Sequence, residues 1–331
     1  MQWSKSIKIF FNYLLGPLLF AWLLFFIYRH IQKQPNIEQS WEHIKTSFQA
    51  GKALDLILVF VLMFVNWGIE ARKWQISVLP IRRISYMQAF KAILSGVSFS
   101  VTTPNRVGEY VGRMLYMPEG SRLKSISVTL VGSLSQLLVT FLSGIVGLIL
   151  LKAKLVEQGI LNEFIYRIVL AVLVITVLIL SILYWRISII EAFIEKWFKN
   201  SRYLYLIQSL RSFNVQLLGK LLLLSFLRYL VFIVQYYLVF FVFDVDLPVV
   251  IVWSVVSVLF LSMAIIPTIA LVEVGLRGEI SLQLMALFTS NSLGVGLTSV
   301  TIWLINLVLP AVVGCIFILS VKAFKSNNEI L

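Results

Sequence analysis

The sequence predicts an all-α protein that crosses a membrane several times, and three observations carry this prediction. Of its 331 residues, 60% are hydrophobic and 13% are charged, whereas a soluble domain is about half apolar and about a quarter charged. Apolar stretches of roughly 20 residues, the length of a helix that crosses a bilayer, recur along the chain. Two further apolar stretches are each ended by a proline beside charged residues.

Six stretches are long and apolar enough to cross the bilayer as helices. They are residues 9–28, 53–71, 125–150, 164–185, 217–243 and 293–321. The first follows a basic N-terminus and has no small-residue cleavage site, so we expect an uncleaved span and not a signal peptide. Residues 37–48 and 189–198 are amphipathic and typical of helices in the headgroup plane.

The two proline-broken stretches, residues 85–103 and 247–266, decide the topology. If both cross, 12 Lys and Arg residues lie inside and 15 outside; if both dip in and return, 19 lie inside and 8 outside. Because cytoplasmic loops are enriched in Lys and Arg, the sequence predicts six spanning helices plus two re-entrant helical hairpins, with eight full spans as the alternative. Both termini are then cytoplasmic, in a multi-pass protein of the cytoplasmic membrane.

This topology predicts a single domain over residues 1–331 that contains an inverted repeat. The first repeat, residues 53–150, begins outside, and the second, residues 217–321, begins inside. Paired broken helices in repeats of opposite orientation are typical of a transport site near the middle of the membrane.

The first break supplies the strongest candidate site. Thr103 and Pro104 have the residue types of a helix start, and Arg106, Glu109 and Arg113 then share one helix face at spacings that allow ion pairs. Gly108 keeps the backbone accessible. A positive helix end with two arginines inside a membrane suits an anion; the alternative is an ion-paired staple that only holds the hairpin together.

The second break and one span supply further candidates. Glu273 and Arg277 lie four residues apart, and Glu279 follows. Arg228 lies within a span, where an arginine normally faces a partner or a cavity. Asn66 and Glu70 also lie four apart within a span.

Several function classes find no support in the sequence. The single cysteine, Cys315, and two histidines in one loop offer neither a metal cluster nor a catalytic triad, and no Gly-Lys-Ser/Thr phosphate loop is present. We therefore expect no metal, no cofactor, no catalytic residue and no enzymatic activity. The net charge of +13 is assigned to basic loops on anionic lipid and not to nucleic-acid binding.

The motif from Thr103 to Arg113, with Arg72-Lys73-Trp74 before it, resembles the lysylphosphatidylglycerol synthase transmembrane, or flippase-like, family. In this first motif, Asn105 replaces the usual glycine. Residues 267–279 are similar to the family's second motif, although the family's Gly-Gly pair is missing there. The resemblance implies site roles for Arg106, Gly108, Glu109, Arg113, Arg277 and Glu279. Because the chain ends at Leu331, we expect no soluble aminoacyl-transferase domain.

What the resemblance implies is movement of a phospholipid or another modified or lipid-linked headgroup between leaflets. Membrane lipids with anionic phosphate headgroups are the expected partners. Arg106, Arg113, Arg228 and Arg277 would meet the phosphate, and Glu109, Glu273 or Glu279 any cationic group. The alternatives are an integral-membrane enzyme, or enzyme partner, that acts on lipid-linked sugars, and a small-solute secondary transporter.

Overall fold

The computed structural model describes residues 52–101, 103, 106–187, 208–267 and 270–327. These residues form helices and connecting loops, with no strand among them. The predicted first span and the two predicted interfacial helices, residues 9–28, 37–48 and 189–198, lie outside the described residues.

Ten α-helices form the described part of the chain. They are α1 (Ala53–Val78), α2 (Tyr86–Ser100), α3 (Gly108–Met114), α4 (Arg122–Glu157), α5 (Glu163–Trp185), α6 (Val215–Val242), α7 (Val249–Ile265), α8 (Ala270–Met285), α9 (Ser292–Trp303) and α10 (Leu309–Asn327). A π-helical turn, Leu304–Val308, joins α9 to α10. Short 3-10 turns lie at Glu119–Ser121 and Gln208–Ser212.

Within the described residues, five helical segments are long and apolar enough to cross a membrane. They are Ala53–Val78, Glu119–Glu157, Glu163–Trp185, Val215–Val242 and Ser292–Ile318. They confirm five of the six predicted spanning stretches as long apolar helices. The proline-broken stretches form shorter helices, α2 with 15 residues and α7 with 17.

Local sequence explains where several of these helices begin. Asn162 and Asn214 stand before α5 and α6, and each side-chain oxygen accepts a hydrogen bond from the backbone N–H three residues later. Ser85 does the same at the start of α2. Such caps satisfy backbone donors that have no partner within the helix.

The helical hairpin α2–α3 ends beside the point where it begins. The side chain of Gln88, in the first turn of α2, donates a hydrogen bond of 3.1 Å to the carbonyl of Tyr116, just after α3. The hydroxyl groups of Tyr116 and Ser95 lie 3.0 Å apart. The first turn of α2 and the residues just after α3 therefore lie side by side.

The second hairpin, α7–α8, also has its two ends close together. Asn291, after α8, donates hydrogen bonds of 3.0 Å to the carbonyls of Phe243 and Asp244, before α7. The Asp244 carboxylate also contacts the ammonium group of Lys52, next to the start of α1, at 2.5 Å. The first hairpin instead follows the other end of α1, which is about 39 Å away for 26 helical residues.

The two hairpins pack on the rest of the bundle in a related way. Helix α1 packs on α6, α2 on α10, and α7 on α4. Glycine lies where α10 packs on α2 and where α4 packs on α7. A Cβ added at Gly314 on α10 would lie 1.9 Å from the Leu94 carbonyl oxygen on α2, and one added at Gly144 on α4 would lie 2.6 Å from Leu261 Cβ on α7. Helix α2 thus contacts α10, and α7 contacts α4, at close range.

Candidate functional site

A buried carboxylate on α1, that of Glu70, has three cations around it. Its side chain is 4% exposed. Its Oε2 lies 2.8 Å from the Nζ of Lys73 and 2.9 Å from an Nη of Arg228. Its Oε1 lies 3.1 Å from an Nη of Arg113. Because buried charges are stable only beside opposite charges and hydrogen-bonding groups, these four side chains depend on one another.

Arg228 on α6 is held by two groups on the facing helix α1 and by one aromatic ring on α6 itself. Its Nε donates a 2.7 Å hydrogen bond to the Asn66 side-chain oxygen. Its guanidinium carbon lies 4.9 Å from the ring centre of Trp67 and 5.7 Å from that of Phe232, within the range of cation–π attraction. The prediction that this intramembrane arginine faces a partner is confirmed.

Glu109 and Arg113 form the predicted ion pair within the first hairpin. The Arg113 guanidinium lies 2.7 Å from Glu109 Oε2, one helical turn away. The same guanidinium contacts Glu70, so it connects the hairpin to α1. Arg106 lies 3.9 Å from Glu109, at the limit of an ion pair.

Pro104, the predicted first residue of the hairpin's second helix, lies outside the described residues; among the described residues, α3 begins at Gly108. Arg106 has a φ of +56°, in the left-handed region that few residues other than glycine adopt. The N-cap residue of α3 is Val107 and not the predicted Thr103, although the Thr103 hydroxyl accepts a 2.7 Å hydrogen bond from the Gly108 N–H. A Cβ at Gly108 would lie 2.2 Å from the Phe99 carbonyl oxygen, so only glycine fits this approach.

The second hairpin carries an ion pair of the same spacing. Arg277 lies 2.5 Å from Glu273, four residues earlier on α8. Its other terminal nitrogen donates a 2.9 Å hydrogen bond to the Tyr236 hydroxyl on α6. The second helix of each hairpin, α3 or α8, thus carries a glutamate followed four residues later by an arginine. In this respect Glu273 is the counterpart of Glu109.

One ion pair joins the two hairpins. An Nη of Arg106 donates to both carboxylate oxygens of Glu273, at 3.1 and 3.2 Å. The connected set, which we call the ion-pair network, comprises Lys73, Glu70, Arg228, Arg113, Glu109, Arg106, Glu273 and Arg277. Arg106, whose side chain is 40% exposed, and Glu109, 20% exposed, form its accessible end.

The structure brings six of the eight predicted site residues into this network. They are Arg106, Glu109, Arg113, Arg228, Glu273 and Arg277. Gly108 lies beside the network and permits the tight turn. Glu279 lies apart from it, exposed, and accepts a 2.8 Å hydrogen bond from Gln283.

Sequence reasoning did not assign the centre of the network to the site. The spacing of Asn66 and Glu70 within a span was noted without a site role, and neither Lys73 nor Tyr236 was assigned one. The signal was present for Glu70, because a carboxylate in a long apolar helix is costly unless it is paired. No comparable signal marks Tyr236, since tyrosine is common near membrane surfaces.

A lateral cleft of about 550 Å³ lies on another face of α1. Its lining is mostly apolar and consists of Phe64, Val65, Gly68, Ile69, Arg72, Tyr86 and Leu224. In the part of the chain that the structure describes, no group of three or more His, Cys, Asp or Glu side chains is placed to hold a metal ion.

Comparison with known proteins identifies the family. The sequence model of the Lysylphosphatidylglycerol synthase TM region matches residues 13–319. The chain belongs to this family. Neither the comparison with curated proteins nor that with solved structures found a match.

Membership in the Lysylphosphatidylglycerol synthase TM region family agrees with the fold. The match contains both hairpins and every member of the ion-pair network. Together with five long apolar helices, it makes this chain a multi-pass membrane protein with a lipid-related function.

Proposed function

We propose that this protein moves a phosphate-bearing lipid headgroup between the leaflets of the cytoplasmic membrane, without changing it chemically. The observation that carries the proposal is the Arg106–Glu273 ion pair, which joins two hairpins inside a bundle of apolar helices. A charged residue at the bilayer centre costs about 2.5–3.5 kcal/mol on insertion scales. The network gathers eight charged residues within a bundle of apolar helices, and a charged ligand explains such a set better than packing alone.

We propose that both hairpins are re-entrant and form an inverted repeat. The Gln88–Tyr116 and Asn291–Phe243 hydrogen bonds support this, because each brings the two ends of one hairpin together. The Lys52–Asp244 contact supports opposite orientation, because it puts the second hairpin's ends beside the start of α1. With the excess of Lys and Arg on the cytoplasmic side, both termini are cytoplasmic.

Transport would proceed by exchange of ion-pair partners. A headgroup phosphate that arrives at Arg106 competes with the Glu273 carboxylate for the same guanidinium, since arginine binds both planar oxyanions well. Breaking the Arg106–Glu273 pair frees the two hairpins to separate. Each hairpin can then expose the network to its own side of the membrane in turn. The acyl chains stay in the surrounding lipid.

The test is leaflet transfer of a fluorescent phospholipid in liposomes that contain the purified protein. We expect wild-type protein to accelerate transfer over empty liposomes, and Arg106→Gln to reduce the rate about tenfold or more, as for the loss of one hydrogen bond to a charged group. Arg106 is partly exposed, so this variant should still fold.

Arg167→Gln is the matched control, because it removes one positive charge from an exposed pair with Glu163 outside the network. It should transfer lipid at the wild-type rate. Wild-type transfer no faster than that of empty liposomes would refute the proposal. Mass spectrometry of the recovered lipid should show it unchanged; a modified lipid would favour an enzyme, and uptake of a soluble substrate a solute transporter.

A further inference from the structure

The ion-pair network carries more positive than negative charge. Among the residues that the structure describes, five cations, Lys73, Arg106, Arg113, Arg228 and Arg277, contact three carboxylates, those of Glu70, Glu109 and Glu273. The formal charge is +2. We infer that the network is built for a headgroup with two negative charges, a phosphate monoester or a diphosphate; the inference rests on the proposed function.

Burial makes this excess charge significant. Apart from Arg106 and Glu109, the side chains of the network are at most 11% exposed. Water and salt screen such groups far less than surface charges. A ligand with two negative charges would make the set neutral, whereas a headgroup with a single phosphodiester charge would leave one positive charge uncompensated.

Hydrogen-bonding capacity points to the same ligand. Four buried donor atoms in or beside the network have no partner among the described residues: Asn66 Nδ2, Trp67 Nε1, Arg113 Nε and Arg277 Nε. Asn66 and Trp67 are 0% and 4% exposed and both contact Arg228. Buried polar groups in native proteins are nearly always paired, and these are all donors. A phosphate group offers only acceptors, so it matches them.

A cationic headgroup fits this site less well. An amine would bring further donors to a place that already has unpaired ones, and its charge would add to the excess. A headgroup with two protonated amines and one phosphodiester has a net charge of +1, so it would raise the formal charge of the occupied site from +2 to +3. The inferred order of preference is therefore dianionic, then monoanionic, then cationic headgroups.

Binding can be tested apart from transport, with the full-length protein in detergent and thermal unfolding as the readout, because a ligand that binds the folded state raises the melting temperature. The probes are short-chain phosphatidic acid, phosphatidylglycerol and lysyl-phosphatidylglycerol at about pH 8, where a phosphate monoester is doubly charged. We expect phosphatidic acid to bind at least about tenfold tighter than phosphatidylglycerol, the lower end of the range for one hydrogen bond to a charged group.

Two variants at the accessible end change the network charge in opposite directions. Arg106→Gln lowers it to +1 and should reduce the preference for phosphatidic acid; Glu109→Gln raises it to +3 and should keep or increase the preference. If both residues had only a structural role, both variants would lose the preference for phosphatidic acid. The control Arg167→Gln should bind as wild type.

Equal affinity for phosphatidic acid and phosphatidylglycerol, or tighter binding of lysyl-phosphatidylglycerol, would overturn the inference. Inorganic pyrophosphate is a further probe. If pyrophosphate raises the melting temperature of the protein and phosphatidic acid does not, the ligand is a free anion and not a lipid. Selective binding without accelerated leaflet transfer would refute the proposed function alone. Equal transfer of all three lipids would leave that function standing and refute the charge selectivity.

Discussion

At the scale of single residues, the central feature is Glu70, one carboxylate shared by three cations. Its contacts with Lys73, Arg113 and Arg228 come from its own helix, a hairpin and a facing span. Removing one member of a buried ion pair leaves its partner charged and unsatisfied, which costs more than the pair itself contributed. Stability and binding therefore depend on the same side chain.

Glu70→Gln should destabilise the protein by about 3–5 kcal/mol, the range for breaking a buried ion pair, because Lys73 and Arg228 then lose the carboxylate that they contact, and Arg113 keeps only Glu109. Thermal unfolding in detergent measures this. The double variant Glu70→Gln/Lys73→Met should recover part of the loss, since it removes one of those cations. Glu163→Gln, at an exposed ion pair, should leave the melting temperature near the wild-type value. Equal melting temperatures for Glu70→Gln and Glu163→Gln would contradict this account of Glu70.

At the scale of helices, close crossings at glycine hold the hairpins against the spanning helices. Gly314 permits α10 to approach α2, where the Ser98 hydroxyl donates a 2.5 Å hydrogen bond to the Ala311 carbonyl. Gly144 and Gly147 do the same for α4 against α7. Association of helices in lipid relies on such van der Waals contact and short hydrogen bonds, because burial of apolar surface contributes little there.

Gly314→Ala should therefore destabilise the protein, by about 1–3 kcal/mol or more as for other overpacked sites. The added methyl group would lie 1.9 Å from the Leu94 carbonyl oxygen, and backbone cannot move aside easily. Gly296→Ala is the matched control, because nothing lies within 4 Å of the added Cβ and alanine favours the helix. The melting temperature should fall for the first variant only; no fall for Gly314→Ala would show that the α2–α10 crossing is looser than described.

At the scale of the whole molecule, the two hairpins approach the network from opposite ends of α1. Hydrogen bonds join the two ends of each hairpin. The Lys52–Asp244 contact places the ends of the second hairpin beside the start of α1. The Arg106–Glu273 pair then joins their tips. Each hairpin thus contributes residues to the same ion-pair network.

Cysteine labelling tests this topology in a Cys315→Ser background. Arg83→Cys and Glu119→Cys flank the first hairpin, and Asp246→Cys and Ser290→Cys flank the second; all four positions are exposed. A membrane-impermeant maleimide should label the first pair only from the cytoplasmic side and the second pair only from outside. Labelling of two members of one pair from opposite sides would mean that the hairpin crosses the membrane.

Sequence alone determined the membrane class, five long apolar helices, the two breaks and most of the charged residues that matter, because all of these depend on composition and spacing along one helix. The Glu109–Arg113 pair was predictable for the same reason. The start of α3 was not, since the left-handed backbone at Arg106 depends on how the hairpin turns. Only the tertiary structure decided that Glu70 is central, that Glu279 lies apart, and that Arg106 meets Glu273, 167 residues away. Pairings between charges so distant in sequence are set by helix packing, which local spacing does not encode.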